Sequence, residues 1–279
     1  MKSVDVIIPC SAMLPQSVED RVENINFGLQ HFFGNQTACN LRVIVIEQCL
    51  DGHEYFLPHI EEKYCEVEKV RIDWPKFNKQ WCINVAAKHY ALSDNICVAE
   101  SDMWSDEDYF AEALEYFDAR GLRWMFLWNR LYYTEPEEKD KILASLQLRE
   151  HVAKQICIPR HGYSEGGVVM FKKELLLGIG GGNEWIEELG GPDNDLASRS
   201  FAATRTYDAF NAMVYHLSHP GLKKTRKGQR KKNIAIIRDM SKDPKRHNRY
   251  LRRCNFGDKK APLCSKGDFY QLIGKDRAV

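Results

Sequence analysis

Short apolar runs near residues 3–9, 42–48, 67–72, 96–100, 123–128, 167–171 and 212–218 have the length and composition of strands. Between them, stretches near 17–33, 79–92, 106–119, 138–155 and 193–204 read as helices. Strand and helix alternating in this way predict an α/β fold, with a mostly parallel sheet carrying helices on both faces. Long internal repeats and low-complexity tracts are absent.

Three segments of this pattern carry candidate chemistry. The run Ile96-Cys97-Val98-Ala99 ends in Glu100-Ser101-Asp102. Acids at the C-terminal end of a strand sit where α/β sheets bind ligands, and oxygen ligands suit Mg²⁺ or Mn²⁺, so Asp102 is a candidate metal ligand. The competing reading is a strand-to-helix turn, because Ser105-Asp106-Glu107-Asp108 also resembles a helix start. A second strand-like run, Val214-Tyr215-His216-Leu217-Ser218-His219-Pro220, could bring an imidazole to the same cation, with His216 preferred and His219 the alternative. In the third segment, Asp193, Asn194 and Asp195 follow Gly190-Gly191-Pro192 at a helix start, where negative charge is favoured. That placement suits a catalytic base. It equally suits a helix cap, with Asp193 accepting backbone N–H groups and Asp195 pairing with Arg199 one turn on.

Other features divide between chemistry and packing. The stretch Gly178-Ile179-Gly180-Gly181-Gly182 imitates a phosphate loop without the Lys-Ser/Thr ending, and reads as a mobile turn, part of a lid. Trp185 could stack on a sugar ring or belong to the core. For Trp124, Trp128, Tyr132 and Tyr133 packing is the favoured reading.

The order of these pieces resembles the GT-A glycosyltransferases, in the branch of the β-1,4-galactosyltransferases and the bacterial chondroitin-polymerase-type enzymes. The resemblance runs from about residue 3 to residue 233. It rests on Val4-Asp5-Val6-Ile7-Ile8-Pro9, Val43 to Gln48, Phe77-Asn78-Lys79 with Asn84-Val85-Ala86, Glu100-Ser101-Asp102, Gly166 to Phe171, Ile179-Gly180-Gly181, Gly190 to Arg199, and His216 to Pro220. It implies a Rossmann-like GT-A domain over 1–221, nucleotide-binding in 1–103 and acceptor-binding and catalytic in 104–221, with a basic segment over 222–279 packing on or extending from it. The implied activity is metal-dependent, inverting transfer of a sugar from a nucleoside diphosphate sugar, a uridine diphosphate sugar by analogy, to an acceptor hydroxyl. Pro9, Glu47, Asn78, Lys79, Glu100 and Ser101 match donor-binding positions. Asp102 and a histidine match the Mn²⁺ or Mg²⁺ ligands, and Asp193 matches the base. Trp185, Gly191, Asn194 and Asp195 fall on the acceptor side. The chain departs from the family's Trp-Gly-Gly-Glu-Asp-Asp-Asp pattern at Leu189, Pro192 and Asn194, so the acceptor is expected to differ from that of the galactosyltransferases.

Composition narrows the setting. With 279 residues, 44% of them hydrophobic, the chain can bury a large core. No segment has the length and apolarity of a membrane span, and no secretory signal is predicted. Nine cysteines without regular spacing fit reduced thiols, and hence the cytoplasm of a bacterial or virus-infected cell. The formal charge of +1 conceals a strong asymmetry. Residues 223–277 hold nineteen Lys or Arg against five acids, and the remainder 21 against 34. Such a segment suits an anionic partner, whether nucleic acid, acidic glycan or lipid headgroup; the alternative is a solvated basic tail folded onto an acidic body. An acceptor carried on modified nucleic acid is one expectation this raises. A non-catalytic nucleic-acid-binding protein on a transferase scaffold and a metal-dependent nucleotidyltransferase are the other two functional classes the residues allow.

Overall fold

The structure, a computed structural model, describes residues 2–12, 18–34, 36, 38–105, 109–145, 156–157, 166–188, 191–219 and 227–266. Its centre is a six-stranded sheet. In chain order these strands are β1 (Ser3–Cys10), β2 (Asn40–Cys49), β3 (Glu66–Asp73), β4 (Asn95–Ala99), β6 (Trp124–Phe126) and β9 (Val168–Lys172), arranged spatially as β3-β2-β1-β4-β9-β6. The first four pair in parallel, whereas β9 runs antiparallel to both β4 and β6. The apolar runs of β1, β2 and β4 are continuous because both faces of the sheet are covered. The connections are α1 (Val18–Gly28), extended by a wide turn over Leu29–Phe33, and α2 (Lys79–His89). Beyond β4 come α3 (Tyr109–Ala119), α4 (Pro136–Ser145), α5 (Lys173–Gly178) and α6 (Pro192–Thr204). The expected helix over 138–155 is seen as α4 up to Ser145, and its remainder lies outside the described residues.

A consequence of the strand order matters for function. The chain leaves β1 toward β2 on one side and returns through β4 on the other, so the C-terminal ends of β1 and β4 flank a topological switch point. Open α/β sheets bind ligands at such a crevice.

A second, four-stranded sheet begins just after β4, and the strand pattern did not announce it. It consists of β5 (Met103–Trp104), β7 (Arg130–Tyr133), β8 (Ile156–Cys157) and β10 (Met213–His216) in the order β5-β10-β7-β8. Pairing of Met103 with His216 and of Trp104 with Tyr215 ties the segment after β4 to the segment after β10.

The basic segment is part of the folded body. It forms α7 (Lys227–Lys242) and α8 (Pro244–Arg253), which pack on α6. Ile236, Leu251, Phe256 and Leu263 share a satellite core with Trp185 and Ile186. The buried carboxylate of Glu184 accepts from the backbone N–H groups of Gly257 (2.6 Å) and Leu263 (2.7 Å) and from Asn84 Nδ2 (2.8 Å), fastening this segment to α2. Among the described residues, apolar packing and the buried Glu184 carboxylate hold this segment to the body. Lys245, Arg249, Arg252 and Arg253 are exposed and pair with no acid among the described residues.

Candidate active site and metal centre

Asp102 lies in the turn between β4 and β5 and is buried, at 4% exposure. The short β5–β10 ladder and a hydrogen bond from Leu217 N to Asp102 O (2.8 Å) hold its backbone beside the end of β10. As a result both candidate histidines reach its carboxylate. His219 Nε2 lies 2.7 Å from Asp102 Oδ2, and His216 Nε2 lies 3.6 Å from Oδ1. Burial alone would raise the Asp102 pKa, but the two imidazoles outweigh it and hold the carboxyl well below the usual carboxylate range.

One ligand atom from each of Asp102, His216 and His219 falls within 4.8 Å of the others. Asp102 Oδ1 is buried with no hydrogen-bond partner. An orphaned carboxylate oxygen beside two imidazoles is the arrangement a divalent cation would satisfy. A mixed oxygen and nitrogen donor set suits Mn²⁺ better than Mg²⁺, which prefers oxygen alone.

Ionic contacts lead on from this group to Asp193. Lys79, the first residue of α2, places Nζ 2.9 Å from Glu100 Oε1 and 2.9 Å from Asp193 Oδ1. Glu100 Oε2 in turn lies 3.9 Å from His216 Nε2. Burial would lower the Lys79 pKa, yet the carboxylates of Asp193 and Glu100 prevail and keep the ammonium charged. Asp193 and Glu100 each retain about a quarter of their side-chain exposure, at 27% and 26%. Gly166 brings its backbone close to both acids: with φ at +89°, an added Cβ would stand 2.5 Å from Glu100 Oε1 and 3.4 Å from Asp193 Oδ2.

The acidic segment of α6 thus splits between the two readings open to it. Gly191, left-handed at φ 96°, occupies the cap position, and no side chain caps the helix, so Asp193 is not a cap. Asp195 pairs with Arg199 Nε at 2.9 Å, with side chains 0% and 1% exposed, and belongs to the scaffold. Asp193 alone of the two acids faces the cleft.

Several other expected site residues are placed elsewhere. Glu47 is fully buried, and its two oxygens accept from the backbone N–H groups of Tyr55, Phe56 and Leu57 at 2.7 to 3.1 Å. Its acceptors are spent on the loop after β2. Asn78 caps α2, accepting from Trp81 N (3.0 Å) and donating to Glu184 O (2.7 Å). Trp185 is buried, at 1% exposure, against Tyr250 of α8. Gly191 packs under Ile237 of α7. The glycine-rich stretch 178–182 is no lid: Arg199 Nη1 donates to Ile179 O (3.0 Å), and Nη2 donates to Gly181 O (2.6 Å), fixing a buried turn. Trp124, Trp128 and Tyr132 are core residues. Pro9 and Ser101 line the switch point as buried ends of β1 and β4. Asn194 sits in the first turn of α6 between Asp193 and Asp195. Residues 220–226, where the basic segment begins, lie outside the described residues.

No protein-family model matches the chain, and no curated protein matches it in sequence. Solved structures do. TarS 1–349 from S. aureus in complex with UDP-GlcNAc aligns with a TM-score of 0.56 and 13% identity, over 99% of this chain and 80% of that one. Mannosyltransferase PcManGT from Pyrobaculum calidifontis, in complex with GDP-Man and Mn²⁺, aligns at 0.50 and 15%, over 99% and 79%. A further structure of TarS 1–349 aligns at 0.53 and 12%, over 77% of this chain, which spans about 60% of that one. The fold is that of the GT-A glycosyltransferases. At these identities the likeness is one of architecture. In a GT-A fold, the crevice at the ends of β1 and β4 is where Asp102, Glu100 and Lys79 converge.

Proposed function

We propose that the chain is a metal-dependent, inverting glycosyltransferase that moves a sugar from a nucleoside diphosphate sugar, with uridine diphosphate as the preferred carrier, to an acceptor hydroxyl. The observation that carries this reading is one unbroken run of ionic contacts: the Asp102–His216–His219 group, then Glu100, then Lys79, then Asp193. Asp102, His216 and His219 would hold Mn²⁺, which when bound offsets the negative charge gained by a departing diphosphate. Lys79 holds Glu100 and Asp193 in place and adds a second positive charge at the donor end. Asp193, alone among the α6 acids in facing the cleft, takes the proton of the attacking hydroxyl. A single base opposite the leaving group supports inversion, whereas a retaining hydrolase needs two facing carboxyls about 5 Å apart.

The acceptor is read as anionic and carried on nucleic acid. Lys245, Arg249, Arg252 and Arg253 recur along one exposed side of α8, while His247, Asn248 and Leu251 fill the other. The Asp193-bearing start of α6 adjoins this pair of basic helices through the Gly191–Ile237 contact. The eight cysteines whose side chains are described are free thiols, which fits a reducing compartment such as the cytoplasm.

The test is a screen of sugar nucleotides with Mn²⁺, scoring the nucleotide released. Free nucleoside diphosphate supports the proposal. Monophosphate with pyrophosphate would reassign the chain to nucleotidyl transfer, and no turnover of any sugar nucleotide would end the enzymatic reading. The acceptor class is tested separately by retention on duplex DNA, which should fall steeply as salt rises and fall again when the four α8 cations are replaced by Ser. Indifference to DNA at low salt rules that acceptor out.

A further inference from the structure

The inward side of α1 carries polar groups that the donor site above leaves unused. Arg21 shares one helix face with Asn24, Ile25 and Gly28, at spacings of three, four and seven. Asn24 is fully buried, and neither its amide oxygen nor its amide nitrogen has a partner. Arg21 Nε is buried without an acceptor. Ser11, next after β1 and 3% exposed, has an unpartnered hydroxyl, and the Trp104 indole N–H is unpartnered too.

These groups are neighbours through the packing of α1. Phe27 meets the Trp104 ring at 5.8 Å, and a Cβ on Gly28 would stand 3.7 Å from Met103 O, so α1 lies along β5, the strand that starts one residue after Asp102. Burial raises the pKa of the Cys10 thiol, one residue before Ser11, and the Arg21 charge lies near enough to oppose that shift. The unpaired groups therefore border the end of β1 and the start of β5, on the α1 side of the crevice.

Folded proteins leave few buried polar groups without partners, since each costs on the order of 1–3 kcal/mol. Their concentration at one crevice calls for a ligand that completes them. Guanidinium, indole N–H, amide and hydroxyl form a set rich in donors, and the fork of an arginine matches a phosphate in particular.

We propose that Arg21, supported by Ser11 and Asn24, binds the diphosphate of the donor from the α1 side of the crevice, with Asp102 and its two histidines contributing the metal on the other side. The inference rests on the donor reading given under Proposed function, and its test separates the two. UDP, GDP, inorganic pyrophosphate and uridine are titrated by calorimetry into the wild type and Arg21→Gln, all with Mn²⁺. Arg21→Gln is expected to weaken UDP and pyrophosphate by about tenfold or more, the usual scale for losing a charged hydrogen bond. Uridine binding and the affinity for Mn²⁺ without nucleotide should stay unchanged. Arg21→Lys should recover part of the loss.

Equal UDP and pyrophosphate affinity in Arg21→Gln and wild type overturns the inference. A loss of melting temperature with affinity intact does so as well, because Arg21 would then serve the fold. Should Arg21→Gln fail to fold, Ser11→Ala and Arg21→Lys decide by the same titration: weaker pyrophosphate binding in either supports the inference, and unchanged binding in both sinks it. A wild type that binds pyrophosphate but no nucleoside diphosphate keeps this site and removes the donor reading. A wild type that binds neither removes both.

Discussion

Replacing Asp195 with Ala should cost the fold about 3–5 kcal/mol, although Asp195 touches no substrate in the proposed mechanism. The figure follows from what surrounds Arg199. Its side chain is 1% exposed and donates to Asp195 Oδ2 (2.9 Å), Ile179 O (3.0 Å), Gly181 O (2.6 Å) and Asn248 Oδ1 (3.4 Å). Only the first of these acceptors carries charge. Removing it leaves a buried guanidinium among neutral dipoles, a penalty large against a total stability of about 5–15 kcal/mol. Removing both charges is a different perturbation. The double variant Asp195→Leu/Arg199→Met should fall only about 1–3 kcal/mol below wild type, because three neutral acceptors lose donors at about 1 kcal/mol or less each while the charge-burial penalty disappears. Urea titrations of wild type, both single variants and the double variant give the cycle directly, provided the m-values agree. The reasoning fails if Asp195→Ala costs under about 1 kcal/mol, the scale of an exposed pair, or if the double variant costs as much as the two singles summed.

Three further outcomes are expected. Asp193→Asn should lower kcat by about 10²- to 10⁴-fold while UDP affinity in the presence of Mn²⁺ stays within about twofold, and near-normal turnover would remove Asp193 as the base. His216→Ala and His219→Ala should each weaken Mn²⁺ binding, followed by the loss of free-Mn²⁺ electron paramagnetic resonance signal, by about tenfold or more; two unaffected variants would dissolve the proposed centre. Stability should decline above about pH 8.5, where thiols of the unfolded chain begin to ionise. Burial keeps the thiols of Cys10, Cys82 and Cys97 protonated well beyond that, so the folded chain binds more protons and each thiol lowers stability by about 1.4 kcal/mol per pH unit. Urea midpoints that stay flat from pH 8 to 10 would contradict this.

The strands that build the crevice were legible because burial on both faces writes itself as an unbroken apolar run, as in β1, β2 and β4. The metal group was legible for a related reason: Asp102, His216 and His219 each stand at or just beyond a strand end, and strand ends converge. The small second sheet was not, since β5 and β8 are two residues each and give no periodicity. Direction was equally hidden, because β9 has the same apolar character as its parallel neighbours while running against them. In the C-terminal segment the density of Lys and Arg drew the eye to charge. What fixes that segment is the thin set of Asn233, Ile236, Leu251 and Phe256 buried between those cations.

The division of acids between scaffold and cleft lay deepest, and it shows what sequence position leaves undetermined. Glu47 and Asp102 both end central strands as buried carboxylates, and by position either could hold a ligand. They differ in what completes them. Glu47 has three backbone N–H groups from the loop that follows it; Asp102 retains one oxygen with no partner and meets two imidazoles instead. Asp195 and Asp193 repeat the contrast two residues apart, one closed off by Arg199 and the other open toward Lys79. The contrast also makes Asp193 the more telling substitution: Asp193→Asn should leave the melting temperature nearly unchanged while transfer falls, because only a partly exposed pair with Lys79 is lost. A drop in stability comparable to that of Asp195→Ala would mean that Asp193, too, belongs to the scaffold.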